Sequence, residues 1–62
     1  MKLYQKVKVT TKQGEYIGNI TQILTNRKTR ESKVSVKILE IVNGNKEIGE
    51  SIQVKEEFVR SI

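Results

Sequence analysis

Apolar and polar residues alternate along two stretches of this 62-residue chain, and each stretch marks a strand. Val7 and Val9 alternate with Lys6, Lys8 and Thr10, a period of two that puts apolar groups on one face and charge on the other. The first strand therefore reads Gln5 to Thr11, and Lys12-Gln13-Gly14 follow as a short turn. The second strand runs from Glu15 to Thr25. Its apolar positions, Tyr16, Ile17, Ile20, Ile23 and Leu24, do not keep one parity, and Gly18 sits where the phase breaks. A glycine at such a break predicts a bulge or a sharp bend. The spacing of Ile17, Ile20, Ile23 and Leu24 also fits a helix, but Gly18, Asn19, Thr21 and Thr25 are weak helix formers and favour the strand.

Residues Asn26 to Ser32 contain no apolar side chain and read as a loop. The third strand spans Lys33 to Val42: Val34, Val36 and Ile38 alternate, and then the phase moves to Leu39 and Ile41. A long strand that changes face partway suits a small barrel in which one strand serves both halves. Asn43-Gly44 predicts a type I′ hairpin turn. A fourth strand follows from about Lys46 to Val54, with Ile48, Ile52 and Val54 in one parity. Lys55-Glu56-Glu57 form a polar bridge, read as one helical or 3₁₀ turn, before a short fifth strand from Phe58 to Ile62.

Composition agrees with the strands. Of the twenty-two apolar residues fifteen are Ile or Val, five Thr add to the β-branched set, and there is no Ala. Five strands in one short domain bury most surface, with fewest free edges, by curling into a small barrel. Cys, His, Asp, Pro and Trp are also absent. Imidazole and thiolate chemistry, an ordinary zinc site and a disulfide framework are thereby excluded. Glu47, Glu50, Glu56 and Glu57 lack the glycine-turned loop of a calcium site and read as a solvated acidic face. No enzymatic activity, cofactor or metal is expected. Met1 is followed by Lys-Leu-Tyr-Gln-Lys, which is no signal sequence, and the apolar runs, such as Ile38-Leu39, are pairs too short to span a bilayer. A cytoplasmic protein of a prokaryote or phage is expected.

The order of signals resembles a known group. Val7-Lys8-Val9 leads into Gly14-Glu15-Tyr16-Ile17-Gly18-Asn19-Ile20, a long third strand, Gly49-Glu50-Ser51-Ile52-Gln53-Val54, and a final Phe58-Val59-Arg60. This is similar to the SH3-like small barrels of the KOW and Tudor type. The resemblance implies one all-β domain over residues 1–62, a five-stranded antiparallel SH3-like barrel, working as a binding module for nucleic acid or a protein. Tyr4, Tyr16 and Phe58 are too few for the aromatic cage with which Tudor domains hold methylated lysine.

Charge narrows the partner. Twelve Lys and Arg face seven Glu, a formal net charge of +5. The excess is confined to the first part of the chain: residues up to Leu39 carry nine cations and two Glu, and the remainder three cations and five Glu. Arg27, Lys28, Arg30 and Lys33 place four cations within seven residues, enough to follow a phosphate backbone by charge neutralisation. A solvated polar loop would look similar. Lys6, Lys8 and Lys12 belong to the outward side of the first strand and its exit. Lys6 and Lys8 lie roughly 6–7 Å apart, near the spacing of successive phosphates, although lysines also protect strand edges. Lys37 adds a further cation on the third strand. Tyr4 and Tyr16 could stack bases or cover the ends of the core; Phe58 reads as core. The expected partner is RNA or DNA, bound through Arg27, Lys28, Arg30, Lys33, Lys6, Lys8 and Lys37. The alternative is a protein-interaction or regulatory accessory module, of the kind phages and mobile elements encode, that uses an exposed strand edge. Neither reading involves a membrane or a small-molecule substrate.

Overall fold

A computed structural model describes residues 2–62. It contains β1 (Lys6–Thr11), β2 (Gly14–Asn26), β3 (Glu31–Gly44), β4 (Ser51–Lys55), a single 3₁₀ turn (Glu56–Phe58) and β5 (Val59–Ser61). All five strands join one antiparallel sheet in the order β4-β3-β2-β1-β5. No helix among the described residues is long and apolar enough to cross a membrane.

The alternation read from the sequence is the alternation that builds the core. Val7 and Val9 of β1, Ile20 of β2, Val34 and Val36 of β3 and Val59 of β5 form one buried cluster. Ile52 and Val54 of β4 pack against it. Each fully buried Val or Ile contributes about 1.5–3 kcal/mol of gross transfer free energy. The two edge strands, β4 and β5, thus reach the same cluster, so the sheet wraps around its apolar face. It does not close: β4 pairs only with β3 and β5 only with β1, and the 3₁₀ turn connects them. The expected five antiparallel strands are present, but as a wrapped, open sheet and not as a closed barrel.

Three irregularities bend the β2–β3 ladder, between Glu15 and Tyr16, between Ile17 and Gly18, and between Ile20 and Gln22. The unmatched residues are Val42 and Leu39 on β3 and Thr21 on β2. The phase change at Leu39 is therefore a bulge. Gly18 has a different part in it. It is the residue opposite the bulge, and a Cβ there would overlap the Lys37 carbonyl oxygen and crowd Val36. Glycine lets the two backbones close up.

Two expected connections are corrected. Asn43-Gly44 is not a hairpin turn. Both residues end β3, paired with Glu15 and Gly14, and the connection to β4 is the longer segment 45–50. β2 begins at Gly14, so β3 gains ladder bonds by continuing to Gly44, and pairing overrides the local turn preference. Gly44 has φ of 133°, a region that favours glycine, and the Tyr16 hydroxyl occupies the space where its side chain would be. The fourth strand accordingly starts at Ser51. The polar stretch Asn26–Ser32 is mostly strand as well: only residues 27–30 turn, and Asn26, Glu31 and Ser32 extend the ladder. Beyond Ile20 the second strand pairs with β3 alone, so the Thr21–Asn26 half of this hairpin stands out from the core with every residue exposed. The far end of this arm, Asn26 with Glu31 and Ser32, carries no apolar residue, which is why that stretch read as a loop.

Candidate nucleic-acid interface

The tip of the projecting hairpin carries the densest run of cations. Its turn is held by short side chains: the Asn26 Oδ1 accepts from the Lys28 backbone N–H at 2.9 Å, and the Thr29 Oγ1 accepts from the Glu31 N–H at 3.4 Å. Arg30 closes the turn in the left-handed region, with φ of 58°. Arg27, Lys28 and Lys33 line one concave surface together with Glu31, Leu24 and, from β4, Gln53. Arg30 does not line that surface. Three of the four expected cations of the loop and its exit are thus brought together, Lys33 from β3, the strand on which it was expected.

The strand cations occupy the outer face of the sheet, opposite the core. Lys6 lies across from Asn19, which lies across from Lys37, so Lys6 and Lys37 flank an asparagine in one cross-strand row. Two strand steps separate them, roughly 10 Å. Lys8 is one row on, opposite Arg60 of β5. Its ammonium meets Glu15 at 3.3 Å, with both side chains partly exposed, so its charge is partly answered within the protein. The remaining ion pair among the described residues is Lys46 with Glu50, at 3.9 Å. Arg27, Lys28, Arg30, Lys33, Lys6 and Lys37 have no carboxylate within ion-pair distance among the described residues.

The aromatic residues divide differently from the expectation. Tyr16 is 1% exposed, its ring in the core and its hydroxyl donating to the Gln13 carbonyl at 3.5 Å, so it cannot stack a base. Tyr4 is exposed, anchored by its backbone N–H to the Ile20 carbonyl at 2.6 Å. Phe58 is not core: it ends the 3₁₀ turn, 43% exposed, because that turn bridges the open side of the sheet rather than crossing its interior.

Sequence reading missed two cations that pairing brings onto these surfaces. Lys55 faces Lys33 across the β3–β4 ladder, and Arg60 faces Lys8 across β1–β5. No local pattern marks either one, because both partners are distant in sequence. The chain matches no protein-family model, and neither curated proteins nor solved structures gave a match.

Proposed function

We propose that this chain is a small, non-enzymatic binding module of the SH3-like kind that holds nucleic-acid backbone, acting in the cytoplasm. The observation that carries the reading is the cluster of Arg27, Lys28 and Lys33 at the hairpin tip, where Glu31 lines the same surface but forms no ion pair with any of them. Cations left unpaired on a protruding element are free to displace the counterions of a phosphate chain. Lys6 and Lys37 extend the positive surface along the outer face, and Lys8 contributes less because Glu15 competes for it. Contacts of this kind set affinity and orientation without reading bases. The test compares two variants of the nuclease-treated protein for oligonucleotide binding. Replacing Arg27, Lys28 and Lys33 by Gln should weaken binding more than replacing Lys6 and Lys37 by Gln. An equal or reversed loss would move the interface to the outer face, and no binding by the parent at low salt would end the nucleic-acid reading.

One observation favours a second reading. The free edge of β2 from Thr21 to Asn26 bears no charge, and Ile23 and Leu24 on it are half-exposed. Edge strands are usually protected by charge. An extended segment of a protein partner could add to this edge as a further strand. A partner recovered by pull-down that still binds the tip variant would support it.

A further inference from the structure

The concave surface at the hairpin tip does not end at the tip. Lys33 and Gln53 also line a second depression that contains Lys55, Val54 and Phe58. Gln53, Val54, Phe58 and Thr11 in turn line a third, which continues to Lys12 and Lys46 beside the β1–β2 turn. The shared residues make these one furrow, following the free edge of β4 across the open side of the sheet. Six cations border it: Arg27 and Lys28 at one end, Lys33 and Lys55 partway, Lys12 and Lys46 at the other end. The carboxylates along it are Glu31 at the tip and, at the other end, Glu50, which pairs with Lys46 at 3.9 Å and partly answers its charge. Glu56 and Glu57 flank Lys55 in an adjoining depression that shares Lys55 and Glu31 with the furrow, so the middle of the furrow is less positive than its tip end. Between the two basic ends the furrow is lined by apolar groups and by the half-exposed ring of Phe58.

We infer that this furrow takes a single-stranded nucleic acid, with phosphates at the basic ends and one base stacked on Phe58. The inference rests on the nucleic-acid reading above and makes it specific. A single strand offers free base faces to an aromatic ring, whereas a duplex keeps them stacked inside. The β4 edge is five residues long, roughly 16 Å. The molecule measures 33 Å in its longest dimension, so the site spans only a few nucleotides, near the lower end of the range for single small barrels. Stacking is indifferent to base identity and adds nothing to counterion release, so ring and cations leave separate signatures.

The experiment measures binding of oligo-dT and oligo-rU, each of about eight nucleotides, and of a duplex of the same length, at several salt concentrations. The proteins are the parent, Phe58→Leu and Phe58→Tyr, each checked for its unfolding midpoint. Leucine keeps apolar cover over the open side and removes the ring; tyrosine keeps the ring. The expected result is a roughly tenfold loss of single-strand affinity in Phe58→Leu, with the salt slope unchanged, duplex binding unaltered and Phe58→Tyr close to the parent. The dT and rU arms separate a DNA ligand from an RNA ligand. Salt-sensitive binding that Phe58→Leu leaves intact would overturn the furrow while the charged tip stands. Binding of neither single strand nor duplex would overturn both. A polyglutamate peptide that displaces the oligonucleotide at equal concentration would overturn it in favour of an acidic polypeptide.

Discussion

Gly18 shows how a single residue sets the bend of the sheet. Its neighbour across the ladder is the Lys37 carbonyl, with Val36 beside it, and nothing larger than hydrogen fits between. Gly18→Val should destabilise by about 1–3 kcal/mol or more, a large part of what a domain this size has. Urea denaturation checks this, and a variant as stable as the parent would show that the backbones can part without cost. The position was legible in the sequence, because the apolar phase breaks there. The reason was not: the close approach is to a residue nineteen positions away, and the bulged residue is Leu39 on the other strand. Phe58 was misread for a similar cause. Apolar character alone cannot distinguish a ring in the core from one at the mouth of an open sheet, and only the path of the 3₁₀ turn decides it.

At the level of elements, strand identity, the short β1–β2 turn and the single 3₁₀ turn were legible, and the connections at the two ends of β3 were not. Val7/Val9 and Val34/Val36/Ile38 belong to β1 and β3 as read, since alternation is a local property. Asn43-Gly44 failed because the end of β3 is fixed by where β2 begins. Asn43 has negative φ and faces Glu15 in the ladder. Asn43→Thr should therefore leave stability unchanged or raise it by up to about 0.5 kcal/mol, since a β-branched residue suits a strand. A loss above about 1 kcal/mol on thermal or urea unfolding would restore the turn. The β3–β4 ladder holds a second element-scale consequence. Lys33 lies directly opposite Lys55, and like charges in that position repel. Lys33→Thr should raise stability at low salt by roughly 0.5 kcal/mol and lower oligonucleotide affinity in the same preparation. Loss of both stability and binding would mean that the lysine stem supports the arm; unchanged binding would remove Lys33 from the interface.

Across the whole molecule, a wrapped, open sheet presents a charged arm at one end and a furrow along its unclosed side. The charge asymmetry of the chain anticipated the cations at the arm's tip, because Arg27, Lys28 and Arg30 are neighbours in sequence, though not the arm itself. It could not anticipate the furrow, which gathers Lys12, Lys33, Lys46 and Lys55 from separate strands and turns. The central claim is that unpaired cations engage phosphates, and the salt dependence of oligonucleotide binding tests it most directly. With about four phosphates neutralised, log Kd against log salt should change with a slope of magnitude near 3 for a single strand and nearer 4 for a duplex. Replacing Arg27, Lys28 and Lys33 by Gln should flatten that slope by roughly two to three units with the fold intact. A parent protein whose binding is absent at low ionic strength, or is unchanged between low and moderate salt, would contradict it.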